Sequence, residues 1–257
     1  MSKNNKVIYT SIVGGFDNLI QPKFVDDSFD YICFVKKGQT DTKRQGIWQI
    51  VEIPYDNCDN RILSRFPKLM PHKVLSQYDY SLWMDGNVSI NDARLYEIID
   101  KKIEDGILYS GVNHWGRDCA YDEAAGIANK VKEPLFSLAK TVRFLRKERF
   151  PKHYGLYENN VILRKHNNQK IVDFDNLWWD LFCKYAKRDQ LCHPYCYKKF
   201  GLDFDYLLPK EYCARNHPYF TYVKHQITPV EQKGIDKIVY DIKRKTNVLI
   251  LKLLSKI

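Results

Sequence analysis

Apolar residues recur along this chain with a period of two in some blocks and 3.6 in others, which predicts strands and helices in alternation. Lys6 to Val13, Phe29 to Val35 and Trp48 to Ile53 are β-branched or aromatic runs closed by Gly14-Gly15, Lys36-Lys37-Gly38 and Pro54, and each predicts a strand. Asn60 to Gln77 has helical spacing, with Ile62, Leu63, Phe66, Leu69 and Met70 on one side, and Pro67 and Pro71 should shorten or break it. Tyr80 to Met84 is an apolar run that stops abruptly on Asp85-Gly86-Asn87. Asp92 to Glu104 predicts a helix capped by Asp92, and Ile107 to Val112 a short strand that enters a polar loop from Asn113 to Glu123. Gly126 to Arg149 reads as mostly helical with a joint at Pro134, Tyr154 to Arg164 as a strand, and Ile171 to Tyr185 as an aromatic-rich helix. Such alternation through residue 210 predicts an α/β fold, a mainly parallel central sheet flanked by helices.

The end of the chain differs in kind. Ile235, Ile238, Val239, Ile242, Leu249, Leu253 and Ile257 fall on one helical face, and residues 233–257 carry seven Lys/Arg against two Asp. Half of the chain's formal charge of +10 therefore sits in its last tenth. A basic amphipathic helix suits an anionic membrane surface, with a helix packed on the domain or on a partner as the competing reading. With no repeat and no low-complexity linker, the 257 residues divide into one domain, residues 1–232, and this appended helix, residues 233–257.

Charge adds a constraint on partners. A pI near 9.1 favours anionic ones, whether nucleic acid, a nucleoside diphosphate or lipid headgroups. No recognised nucleic-acid module is present, so nucleic acid is not expected as a partner, although a nucleic-acid-binding protein stays open as an alternative reading of the charge and the 18 tyrosines. Neither a leader pattern nor 18 consecutive apolar residues occurs, which predicts a cytoplasmic protein, peripheral to the inner face of the plasma membrane where the terminal helix binds. Seven scattered cysteines do not form a disulfide framework, and the Cys192-x-x-x-Cys196 pair lacks a second pair for zinc. Nothing in the pattern sets an oligomeric state.

Candidate chemistry gathers at the predicted sheet edges. Asp85 and Asn87 offer two oxygens one residue apart beside a permissive glycine, the chemistry a hard cation on a diphosphate requires, although Asp-Gly and Gly-Asn are also ordinary turn signals. Gly14, after the first strand, would let the backbone approach a ligand or simply turn. Arg61, Arg65 and Lys68 lie just upstream of the Asp85 strand and either face a diphosphate or form a solvated helix face. Glu158, Asn159 and Asn160 are placed to grip sugar hydroxyls, and Asp189 is a candidate site carboxylate at a helix end.

Six blocks occur in an order that resembles a known family: Lys6 to Asp17, Asn60 to His72, Trp83 to Ser89, His114 to Glu123, Glu158 to Arg164 and Arg188 to Gln190. Together they are similar to the TOD/MUCI-like glycosyltransferase family, first described as a domain of unknown function and found in plant mucilage and pollen-tube proteins and in bacterial polysaccharide clusters. The likeness spans roughly residues 5 to 225. It implies a GT-A type nucleotide-binding domain in which Asp85 and Asn87 take the place of a D-x-D motif, with Asn87 neutral where a second carboxylate is common. A divalent cation, Mn²⁺ or Mg²⁺, would bind Asp85, Asn87 and a late histidine, His217 or His225, against a nucleoside-diphosphate sugar, a UDP-sugar being favoured. Arg61, Arg65 and Lys68 would face the diphosphate, and Asp189 and Gln190 the donor sugar. Glu158, Asn159 and Asn160 would lie near donor or acceptor. For inversion, one of Asp122, Glu123, Glu158 or Asp189 would be the base; the Asp189-Gln190 segment points towards retention. The acceptor implied is a glycan or lipid-linked glycan of a surface polysaccharide, with a non-catalytic glycan-binding protein of the same fold as the alternative.

Overall fold

A computed structural model describes residues 4–15, 17–223 and 234–256. Its core is a seven-stranded sheet in the order β3-β4-β2-β1-β5-β8-β7. β1 (Lys6–Ser11), β2 (Phe29–Val35), β4 (Trp48–Glu52) and β5 (Tyr80–Met84) are parallel. β8 (Tyr157–Arg164) runs against both β5 and β7 (Tyr109–Asn113), so β7 points the same way as β5, and β3 (Arg44–Gln45) is an antiparallel edge. The expectation of a mainly parallel α/β sheet flanked by helices holds. A reversed β8 has a functional consequence: its first residues emerge at the same edge as the last residues of β5 and β7.

Two-sided burial explains the strand sequences. In β1, Val7 and Tyr9 pack into one layer and Ile8 into the other, all with no exposed surface. The first layer is closed by α1 (Asn60–Leu69), α6 (Gln169–Lys184) and α7 (Asp189–Lys199) through Leu63, Phe66, Phe174, Trp178 and Tyr197. α3 (Arg94–Glu104) closes the second through Leu95 and Ile99. A third cluster lies between α4 (Ala120–Asn129), α5 (Leu135–Lys147) and α8 (Gly234–Leu254), through Ala124, Leu138, Leu145 and Leu251.

Departures from the sequence reading are local. The predicted Asn60 to Gln77 helix stops at Leu69 and resumes as α2 (Pro71–Val74), with Pro71 at its first position, where a missing N–H costs nothing. Pro67 sits inside α1 without ending it. Asp92 accepts the N–H of Arg94 at 2.9 Å one residue ahead of the formal cap, Ala93. The polar loop after β7 ends at Cys119, so Asp122 and Glu123 belong to the first turn of α4. α7 and the small sheet of β6 (Val88–Ile90) with β9 (Phe220–Tyr222) were not anticipated. All seven cysteines are unpaired; Cys192 and Cys196 are core residues of α7.

Beneath the parallel edge lies a fully buried ion pair, Arg164 to Asp175 at 2.7 Å. Arg164 also donates to the Tyr9 hydroxyl at 2.9 Å and to the backbone carbonyl of Lys68, tying the end of α1 to the sheet. Such a pair fixes one arrangement, because losing either partner leaves a buried charge.

Burial drives the imidazoles of His72, His114 and His166 down to about 4. Between about pH 4 and the ordinary histidine value of about 6.5 the unfolded chain takes up protons that the folded chain refuses. Stability contributed by these residues is therefore complete above that window and falls as pH drops through it. The raised carboxyl of Asp175, at about 7, acts in the opposite sense over the same range, so the comparison is with a variant: between about pH 7 and 4.5 the Tm of the unmodified chain is expected to fall relative to that of His166→Gln, and a constant difference contradicts it.

Candidate active site

Three chain segments leave the sheet edge side by side. The 85–88 turn follows β5, residues 157–160 open β8, and residues 114–119 follow β7. The end of α1 and the start of α7 close one flank, α4 the other. Between them is a cleft of about 190 Å³ lined by seven cations and four carboxylates.

Lys68 is the centre of its β5 side. Its side chain is only 1% exposed, and its ammonium lies 3.1 Å from Asp85 Oδ1 and 2.5 Å from Asp189 Oδ2. The Trp83 indole N–H donates to the same Asp85 oxygen at 2.8 Å, and the ammonium sits 5.4 Å from the Trp83 ring centre. Burial alone would raise the Asp189 carboxyl, yet Lys68, Arg65 and Arg188 outweigh it and hold the group at about 2. Asp189 is thus a fixed negative charge and a poor proton acceptor.

Over β8, Glu158 pairs with Arg215, accepts the Asn160 amide N–H at 3.0 Å, and through its backbone carbonyl accepts the Gln190 amide at 2.7 Å. The Asn160 carbonyl accepts the Asp85 N–H at 2.8 Å, locking the two strand ends together. Burial raises the Glu158 carboxyl against the pull of Arg215. On the β7 side, Arg117 donates to Glu123 at 2.7 Å, and His114 Nε2 stands 3.5 Å from the same oxygen. Arg117 lies flat over α4 because residue 126 is glycine: a Cβ there would come within 2.6 Å of the guanidinium. Burial raises the Glu123 carboxyl too, against Arg117, Lys130 and Arg188.

The cleft unites Arg65, Lys68, Asp85, Glu123, Glu158, Asn160, Asp189 and Gln190 of the residues singled out in the sequence. Others lie elsewhere. Asp85 and Asn87 do form a turn, the Asp85 carbonyl accepting the Val88 N–H at 2.9 Å. Asn87 is 4% exposed and its amide donates to the Val223 carbonyl at 3.0 Å, clasping β6 to the end of β9 rather than joining Asp85. Arg61 is turned to Glu133 at 2.6 Å. Gly14, with φ +70°, donates to Gln39 at 2.9 Å beyond the end of β1. Asn159 is wholly buried at φ +60° and is not in the cleft lining. Asp122 points to Cys119 and His153, with one ligand atom of each within 4.8 Å of the others, away from the cleft lining. His217 is wedged edge-on between Tyr212 and Tyr219, with centroids at 4.9 and 4.3 Å, and His225 lies outside the described residues. Lys130, Lys132 and Arg215 carry no individual signal in the sequence; Trp115, Arg117 and Arg188 lie in blocks already marked.

A resident divalent cation needs several oxygen or nitrogen donors. Among the described residues the cleft holds no trio of His, Cys, Asp and Glu close enough to share one, and one oxygen of Asp85 is already held by Lys68 and Trp83. These donors do not fit such a cation, whereas the surplus of side-chain cations fits a diphosphate.

The profile of the TOD1/MUCI70, glycosyltransferase-like domain matches residues 1–225. This chain belongs to that family. A probable hexosyltransferase, MUCI70 of Arabidopsis thaliana, is 25% identical over 211 residues, 72% of this chain; the chain spans 36% of that relative's length. The TOD1/MUCI70 match takes in every cleft residue and stops before α8. As a member of a glycosyltransferase-like family, this chain carries its cationic cleft where open α/β sheets bind ligands, beyond the carboxyl ends of parallel strands.

Proposed function

We propose that this TOD1/MUCI70-family chain transfers a hexose from a nucleoside-diphosphate sugar, a UDP-sugar being favoured, to a glycan acceptor. The observation that carries this reading is the cleft's excess of cations around Lys68, a buried ammonium gripped by two carboxylates at the parallel edge. In the reaction the bond between the anomeric carbon and the phosphate oxygen breaks, the acceptor oxygen bonds to that carbon, and the diphosphate leaves with the electron pair. Lys68, Arg65 and Arg188 would take up the charge that develops on it. The acceptor hydroxyl must also lose its proton. Glu123, raised by burial, supports that role and a direct, inverting displacement, while Asp189 at about 2 does not. The Asp189-Gln190 likeness to retaining enzymes points to the other outcome, and the anomeric configuration of the product separates them.

Calorimetric titration with UDP- and GDP-sugars tests the reading. Saturable binding of at least one nucleotide sugar, followed by its acceptor-dependent consumption, is expected; binding of none overturns it. The same titration with Mn²⁺, with Mg²⁺ and with EDTA decides the cation, because of Asp85, Asn87 and His217 only Asp85 lines the cleft. Binding that survives EDTA assigns the diphosphate to the side-chain cations.

We infer further that the acceptor is lipid-linked, as for a bacterial capsule or lipopolysaccharide, and that α8 docks on an anionic membrane at the cytoplasmic face. None of the helices is long and apolar enough to cross a membrane among the described residues. The support is the two-faced character of α8. Leu251 and Asn247 pack towards α4 and α5, while Ile235, Ile238, Ile242, Leu249 and Leu253 are 52–79% exposed. Lys243 flanks this stripe on one side and Lys245 and Lys252 on the other, the arrangement of an interfacial helix. Ile238→Asp with Ile242→Asp is expected to abolish sedimentation with phosphatidylserine vesicles and leave donor binding intact. Unchanged sedimentation, or none by the unmodified chain, removes the claim.

A further inference from the structure

We propose that the exposed face of Trp115 is the platform on which the acceptor's sugar ring stacks. This rests on the transferase reading for its donor side only. Of the five tryptophans, Trp48, Trp83 and Trp178 are buried and Trp179 is partly so; Trp115 alone is exposed, at 60%, and it lines the cleft. An indole left in water at the mouth of an otherwise polar cleft is an unpaired apolar surface, and a sugar ring presents a matching apolar C–H face with hydroxyls around its rim.

The ring is backed and its loop is fixed. The His114 imidazole lies behind it with centroids 6.2 Å apart and planes 21° from parallel. His114 Nδ1 accepts the backbone N–H groups of Gly116 at 3.2 Å and Arg117 at 3.0 Å, so in the neutral ring the proton is on Nε2, facing Glu123. Residues 114–117 are thereby held in one conformation, and little ordering remains to be done when a ligand arrives.

Sheet order sets the spacing. Asp85 follows β5, Trp115 follows β7, and β8 lies between them, so the strand ends that carry the two residues are about two strand spacings apart, roughly 10 Å. That distance accommodates the sugar being transferred, over Glu158 and Asn160, with the accepting ring beside it. Arg117 and Glu123 then face the hydroxyls at the edge of the stacked ring.

The test uses the full chain with UDP as the donor-side probe, by calorimetry. Methyl β-glucoside, methyl β-galactoside and the corresponding disaccharides serve as acceptor-side probes, by saturation-transfer NMR and tryptophan fluorescence. Trp115→Ala is expected to weaken glycoside binding about tenfold or more, with UDP affinity within twofold of the unmodified chain, and Trp115→Phe to recover most of the loss. Glycoside binding unchanged in Trp115→Ala, or no glycoside binding by the unmodified chain at millimolar concentration, overturns the proposal. Failure of UDP to bind while glycosides still depend on Trp115 sinks the donor reading and leaves this one standing.

Discussion

Replacing Lys68 with methionine is expected to lower affinity for UDP at least a hundredfold and turnover by about a thousandfold. The ammonium is the one positive charge held by both Asp85 and Asp189, and its removal leaves two carboxylates facing an incoming diphosphate. The effect thus exceeds a lost contact, since the sign of the local field reverses where Arg65, 3.8 Å from Asp189, is the nearest compensation. Methionine keeps the packing over Trp83 but not the charge. A buried carboxylate losing its partner costs about 3–5 kcal/mol, so Tm should fall as well. Lys68→Met combined with Asp189→Asn separates the two effects: stability should return and UDP binding should not. Wild-type UDP affinity in a folded Lys68→Met chain would dismiss Lys68 as the diphosphate anchor.

Why Lys68 matters was only half visible in the sequence. Arg61, Arg65 and Lys68 have the spacing of one helix face, and that spacing suits solvent as well as a ligand. What divides them is tertiary: Arg61 finds Glu133, 72 residues away, while Lys68 is drawn under the sheet edge by Arg164, whose guanidinium donates to the Lys68 carbonyl. Neither partner lies within the reach of periodicity. Strand positions were legible because β1, β2 and β5 are buried on both faces and so read as largely apolar runs. The direction of β8 was not, since an apolar strand carries no mark of the way it runs. That reversal brings Glu158 and Asn160 beside Asp85.

Asn87 illustrates the opposite error. Two oxygen-bearing residues one apart suggest a shared ligand, but the Asp85–Val88 turn rotates the chain between them, and Asn87 is committed to Val223, 136 residues later. The same long-range pairing produced β6 and β9, each three residues long and too short to announce itself. α7 escaped for a different reason: with Pro194 in its interior and a polar and apolar mixture all round, it has no single apolar face, and it is buried by Leu191, His193 and Tyr197 together.

Glu123→Gln is the second large effect expected. Four carboxylates were candidates for the group that takes the acceptor's proton, and their surroundings separate them. Asp122 faces Cys119 and His153, outside the cleft lining. Asp189 is held at about 2 by three cations acting against burial, which makes its carboxylate too weak a base. Glu158 has one oxygen on Arg215 and the other on Asn160. Glu123 stands in the first turn of α4, raised by burial and beside the exposed indole of Trp115. Because efficient proton transfer needs a group titrating near working pH, its amide replacement should cut turnover about 10²–10⁴-fold with UDP affinity unchanged. If the chain transfers sugar as proposed, its turnover should rise with pH as Glu123 loses its proton, above the ordinary glutamate value, and the variant should lack that limb. Turnover within tenfold of the unmodified chain, with a product of retained configuration, would assign Glu123 to binding alone and the chemistry to a mechanism that needs no strong base.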